Sequence, residues 1–146
     1  MSTGVSTGVS TGLPTPEPVV NPETAPFWAA AGEHRLTLPR CNACGELYWY
    51  PRGICPRCHS LDTSWSDASG RGTIYSYTVV RKPSGDFAGA DPYVLAFVEL
   101  AEGPRIMTNV VPCDDPRLVI GAAVEVVFDD TGGGTALPRF RLVDVD

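Results

Sequence analysis

No stretch of this 146-residue sequence approaches the ~20 apolar residues that a membrane span requires. Its first residues hold no basic region followed by an apolar one, so no secretory signal is expected and a reducing cytoplasm is the expected compartment. Positive charge is scarce: 11 basic side chains face 17 acidic ones, for a net charge of −6. Only residues 33–60 lean basic, at +2, from Arg35, Arg40, Arg52 and Arg57 against Glu33 and Glu46. Residues 1–32 contribute −2, and residues 61–146 contribute −6 from seven basic and thirteen acidic side chains. A nucleic-acid binder should carry a basic stripe, because phosphate neutralisation supplies most of its affinity. No nucleic-acid or membrane partner is therefore expected. Histidine is nearly absent too, with only His34 and His59.

Cysteine is present in a pattern. Cys41-Asn-Ala-Cys44 and Cys55-Pro-Arg-Cys58 are two Cys-x-x-Cys knuckles separated by ten residues. Each knuckle turns two thiolates toward one point, and two knuckles supply the tetrahedral set that structural Zn²⁺ prefers. The same four ligands suit a rubredoxin-like iron. A pair of disulfides is the bland alternative; doubled Cys-x-x-Cys without an export signal reads as metal instead. Gly45 stands where a positive φ is commonly needed after a knuckle. His59 adjoins Cys58, but four cysteines already complete the set.

The chain divides by composition. Residues 1–22 begin with a Ser-Thr-Gly-Val repeat and continue through Pro14, Pro16, Pro18 and Pro22, which predicts a disordered arm. Residues 23–36 predict a short helix from Glu23-Thr24-Ala25-Pro26, ending near Gly32. Such a helix must dock, either on the chain's own barrel or on a partner, through Phe27 and Trp28. The ribbon spans 37–64 and a barrel 65–146. In the barrel the apolar period becomes two, giving strands over 72–81, 93–100, 105–111, 123–129 and 137–145. The first alternates Ile74, Ser76, Thr78 and Val80 against Tyr75, Tyr77 and Val79; the second is apolar on both faces and should be buried. Five strands with a break after the third are what an OB-fold barrel requires, although other small barrels share the pattern. The fold class is mainly β: a short N-terminal helix, a four-cysteine ribbon and a five-stranded barrel.

Little in the sequence points to independent chemistry. Cys113 is the one cysteine outside the ribbon, and Asp114 and Asp115 beside it raise rather than lower a thiol pKa. Asp114-Asp115 and Asp129-Asp130 read as solvated turn acids, which lack the dry pocket that paired carboxylates need for acid–base work.

Together these motifs resemble a family. Phe27-Trp28, Arg40-Cys41-Asn-Ala-Cys44-Gly45, Pro51-Arg52, Cys55-Pro56-Arg57-Cys58 and Gly70-Arg71-Gly72-Thr73-Ile74-Tyr75-Ser76-Tyr77-Thr78 occur in order. Pro92-Tyr93, Glu99-Leu100, Gly103-Pro104-Arg105 and Leu137-Pro138-Arg139-Phe140 continue the match across residues 23–145. The family is the acyl-CoA-associated one that joins a rubredoxin-like zinc ribbon to an OB-fold, long catalogued as a domain of unknown function. The resemblance implies a non-catalytic or site-completing subunit. Its implied partner is a thiolase-superfamily enzyme, with a β-hydroxyacyl-CoA retro-aldolase of steroid side-chain degradation the sharper expectation. A hotdog-fold enoyl-CoA hydratase is the alternative partner. A CoA thioester is the expected ligand of the complex, its phosphates meeting Arg40, Arg52, Arg57 or Arg71 through bidentate contacts. Phe27, Trp28, Tyr75 and Tyr77 are the expected partner interface. The rival class is a single-stranded nucleic-acid module, with Tyr75, Tyr77 and Tyr93 as stacking platforms.

Overall fold

The computed structural model describes residues 11–143, which form one α-helix, a two-stranded sheet and a closed five-stranded barrel, with a short 3-10 turn between two of the barrel strands. Helix α1 (Ala25–Gly32) begins where Asn21 Oδ1 accepts the amides of Glu23 and Thr24 at 3.0 and 3.1 Å. Pro26 lies in the first turn, where a missing N–H leaves no hydrogen bond unmade. The helix stops at Gly32, but His34 is the residue that takes the left-handed conformation, at φ 60°. That turn lets the amides of His34 and Arg35 reach the carbonyls of Ala31 and Ala30, both at 2.9 Å. Eight residues are too few for a helix stable by itself. Its buried face of Phe27, Ala30 and Ala31 supplies the missing stability.

β1 (Thr37–Cys41) pairs antiparallel with β2 (Thr63–Asp67), placing Pro39 opposite Trp65. β2 runs across the expected boundary at 64/65. Phe27, Ala31, Leu36 and Leu38 join Ile74, Val94, Val98, Phe128 and Phe140 in one buried cluster, so helix, ribbon sheet and barrel share a core.

The barrel contains β3 (Arg71–Val80), β4 (Tyr93–Leu100), β5 (Arg105–Val111), β6 (Ala123–Asp130) and β7 (Ala136–Leu142). Their order is β3-β4-β5-β7-β6, closing back onto β3, as the five-strand reading anticipated. All pairings are antiparallel except β5 with β7, a short parallel contact at Val110–Phe140 and Val111–Arg141. Gly72 is required at the β3–β4 contact: a Cβ there would lie 2.5 Å from the Glu99 carbonyl oxygen and 2.8 Å from a Val98 methyl.

Three expectations change. β4 is buried on one face only. Val94, Ala96, Val98 and Leu100 point inward while Leu95 and Phe97 remain 37% and 43% exposed. β3 carries a register shift between Ile74 and Ser76, so the alternation inverts at Tyr75. Ile74 is inside before the irregularity; Tyr77 and Val79 pack on the core after it, and Tyr75 stays outside. Asp129 is no solvated turn acid. It is 4% exposed and accepts from Arg139 Nη1 at 2.5 Å, with Arg139 itself 2% exposed. Burial lowers the Arg139 pKa and the Asp129 carboxylate raises it again, the first effect prevailing.

The same pair ties down the preceding chain. Arg139 Nη2 donates to the Pro14 carbonyl at 2.6 Å, and Nη1 donates to the Thr11 hydroxyl at 3.2 Å. The Thr11 hydroxyl in turn donates to Asp129. Residues 11–18, expected within a disordered arm, thus lie along the barrel; the part of that expectation covering 1–10 falls outside the described residues.

Removing one member of a buried ion pair strands the other charge. Asp129→Ala should therefore cost about 3–5 kcal/mol of unfolding free energy, read from urea denaturation. The double replacement Asp129→Leu with Arg139→Met should recover most of that loss.

Candidate functional site

The four ribbon cysteines meet at one point. Cys41 ends β1, Cys44 follows it by a turn, and Cys55 and Cys58 form the second knuckle between Tyr50 and β2. Their Sγ atoms all lie within 4.8 Å of one another. Cys41 and Cys58 are 3.5 Å apart and Cys44 and Cys55 3.7 Å. A regular ZnS₄ tetrahedron with Zn–S of about 2.3 Å has S···S edges of about 3.8 Å, so the cage has the size zinc needs. Both separations far exceed a disulfide bond of about 2.0 Å, and all four cysteines are free. The two knuckles are nearly identical locally. Cys44 N–H points at Cys41 Sγ and Cys58 N–H at Cys55 Sγ, each at 3.4 Å. Gly45 takes the expected positive φ, 79°, and its amide reaches the Cys41 carbonyl at 2.9 Å; His59 plays the same part after the second knuckle, at φ 65°.

These amides prepare the thiols unequally. The Cys44 amide leads in holding the Cys41 thiol down at about 6. At Cys58 the Ser60 amide pulls downward, but the adjacent Cys41 and burial outweigh it and push the thiol up to about 12. A bound zinc would supply a rigid four-way crosslink between the knuckles and, with four thiolates, would leave no open position for water or substrate.

The expected phosphate-binding arginines lie on the surface, and Arg52 and Arg71 line separate depressions. Arg40, Arg52, Arg57 and Arg71 are all exposed. Arg57 is 3.6 Å from Glu46. Arg52 lines a depression with Cys55 and His59, whereas Arg71 lines another with Glu125 and Val126.

The expected interface residues separate as well. Phe27 is buried at 2% exposure, its ring 4.9 Å from that of Trp49, and belongs to the core. Tyr77 packs against the core and its hydroxyl donates to the Leu118 carbonyl at 3.3 Å. Trp28 is half-buried and lines a cavity described below; Tyr75 alone stands 48% exposed. The sequence reading missed the neighbours of Tyr75. Phe97 on β4 sits opposite Ser76 on β3 and Met107 on β5, and Met107 is 58% exposed. Arg105 stacks over the Tyr75 ring, 3.8 Å from its centroid. Tyr75, Leu95, Phe97 and Met107 thus form an apolar face across three strands of the barrel exterior. The signal for it lay in Leu95 and Phe97, apolar residues at odd positions of β4 that a one-sided barrel strand must expose.

The remaining candidates are engaged in packing. His34 Nε2 is 2.8 Å from Asp130 and its ring stacks on Phe128. Cys113 is half-buried against the core. Among the described residues no helix is long and apolar enough to cross a membrane.

Comparison with known proteins assigns this architecture. Residues 28–64 match the model described as the ChsH2 rubredoxin-like zinc ribbon domain, and residues 65–129 match the ChsH2 C-terminal OB-fold domain. A "DUF35 domain-containing scaffold protein" of Methanothermobacter thermautotrophicus is 40% identical over 96 residues, which cover 65% of this chain and 72% of that one. The chain belongs to the DUF35 family. A "Probable enoyl-CoA hydratase alpha subunit" of Thermomonospora curvata is also 40% identical, over 116 residues. That match covers 79% of this chain but only 36% of the relative, so this DUF35 chain spans about a third of that protein. The solved structure titled "Ltp2-ChsH2(DUF35) aldolase" superposes with a TM-score of 0.77 at 36% identity, covering 86% of this chain and 98% of the other.

Zinc loading must displace thiol protons, above all from Cys58, so apparent zinc affinity should rise with pH. Elemental analysis should give one zinc per chain, and Cys44→Ser should lose the metal and melt the ribbon, seen as a lower metal content and an earlier thermal transition.

Proposed function

We propose that this DUF35 chain is a non-catalytic or site-completing subunit of an acyl-CoA-transforming complex. Its partner is a thiolase-superfamily enzyme, with retro-aldol cleavage of a β-hydroxyacyl-CoA the specific reaction. The observation that carries this reading is the 36% identical structure titled as an aldolase, of which the chain covers 98%. The relative named as a hydratase alpha subunit gives the second reading, a hotdog-fold hydratase partner.

The physical features are those of a subunit. His34 is held in an ion pair with Asp130, Cys113 is packed against the core, and His59 is exposed beside the second knuckle, so among the described residues these three form no nucleophile–base–orienter arrangement. The outer face of Tyr75, Leu95, Phe97 and Met107 offers a contiguous apolar surface with an arginine at its edge, the composition of an interface centre. It is this face that we assign to the partner enzyme. CoA contact, if the subunit contributes to it, comes from one arginine at a time, Arg52 beside the second knuckle or Arg71 at the start of β3, with Arg40 and Arg57 on the ribbon surface. The zinc acts through rigidity.

Co-expression with the thiolase-like product of a neighbouring gene tests the proposal. A stable hetero-oligomer, with cleavage activity that needs both chains, is expected; a partner fully active and stable alone would sink it. Phe97→Glu and Met107→Glu should each weaken the complex at least about tenfold, since burying a charge in an apolar interface exceeds the 1.4 kcal/mol this represents. Both positions being exposed, the isolated chain should lose no more than about 0.5 kcal/mol.

A further inference from the structure

A cavity of about 370 Å³ opens between α1, the ribbon and the barrel. Its walls are apolar and largely aromatic, from Trp28, Trp49, Phe87, Met107 and Pro138, with Asn109 and Arg139 as polar members. One further wall residue is Pro16, which belongs to the chain's own N-terminal strap. We propose that the seat of residues 11–18, which border this cavity in cis, is a receptor groove for an extended, proline-bearing peptide segment.

Arg139 sets the kind of ligand. Asp129 already neutralises its charge, and Nε is taken by Asn109 Oδ1 at 3.2 Å. The donors that face the strap are therefore suited to neutral oxygens, not to an anion. A peptide supplies them: the Pro14 carbonyl accepts at 2.6 Å and the Thr11 hydroxyl at 3.2 Å. These two contacts are three positions apart, and two positions further on Pro16 forms part of the cavity wall.

Proline suits the apolar part of the groove. Pro14, Pro16 and Pro18 have no N–H to leave unpaired, and their fixed φ reduces the entropy lost on docking. Aromatic-lined grooves recognise extended proline segments on these grounds. The strap also has the marks of an exchangeable occupant. It pairs with no strand, and it leaves the surface at Val19, which is 89% exposed, before Asn21 begins the helix cap. A tethered ligand keeps a high effective concentration, so the groove is closed to competitors until the strap is weakened or displaced. This goes beyond the subunit reading and depends only on this chain's residues.

The test uses the full chain with a fluorescently labelled peptide of residues 11–18, Thr-Gly-Leu-Pro-Thr-Pro-Glu-Pro. Binding is followed by anisotropy and by Trp28 and Trp49 emission. A variant carrying Thr11→Val and Pro16→Ser should bind the peptide at least about tenfold tighter than the unsubstituted chain, a difference of one 1.4 kcal/mol step. A peptide carrying the same two changes should bind that variant at least about tenfold more weakly. The proposal is overturned if the variant, with unchanged zinc content and circular dichroism, does not bind the peptide. Equal binding of both peptides, or equal binding by variant and unsubstituted chain, overturns it as well. Should the double variant lose its fold, Thr11→Val alone, which removes a single hydroxyl, carries the same test.

Discussion

The buried Asp129–Arg139 pair is the constraint around which the rest of the molecule is arranged. Two adjacent antiparallel strands, β6 and β7, each contribute one charge, and the charges can be buried only together. The arginine's remaining donors then reach out: to Asn109 on β5, whose own amide is committed to the Val94 carbonyl at 2.9 Å, and to the strap at Thr11 and Pro14. Three barrel strands and a segment more than a hundred residues away in sequence are thereby fixed to one guanidinium. Its contribution is positional more than energetic, since a well-packed apolar replacement of both members is often no less stable.

Much of this architecture was legible beforehand, for local reasons. The cysteine spacing is read without tertiary knowledge because each knuckle makes its geometry within four residues. Strands β4 and β5 have the ends that the apolar runs and the Glu102-Gly103-Pro104 turn dictate. What escaped depends on neighbours distant in sequence. A continuous apolar run does not reveal whether a sheet covers its second face, and so Leu95 and Phe97 were assigned to the interior. The irregularity at Tyr75 inverts a regular alternation and splits Tyr75 from Tyr77, although their spacing places them on one face. Asp129 beside Asp130 reads as a wet acidic turn until Arg139, ten positions on, arrives across the strand pair. Phe27 and Trp28, adjacent on one helix, differ in burial: Phe27 belongs to the core, while Trp28 is half-buried at the cavity wall. The proline-rich strap has a disordered composition, yet its partner lies at the far end of the chain.

The shared core has a functional meaning. Phe27, Leu36 and Leu38 pack with barrel residues, so ribbon and barrel are joined through one continuous core. Arg105, over Tyr75, lies at the end of the β4–β5 hairpin, and the turn before it shares a depression with Gly45 to Trp49 of the ribbon. A zinc bound in the ribbon would thus brace the very edge of the apolar face. In the proposed role of a subunit, a chain of this build would offer a preformed surface, so little ordering entropy would be lost on association.

The two thiols of each knuckle differ in access: Cys41 and Cys55 are buried, while Cys44 and Cys58 are exposed. The cage therefore has an inner and an outer side. A competing donor or an oxidant would meet Cys44 and Cys58 first. Metal exchange would then be one-sided, and a partner covering that side would convert an exchangeable ion into a trapped one.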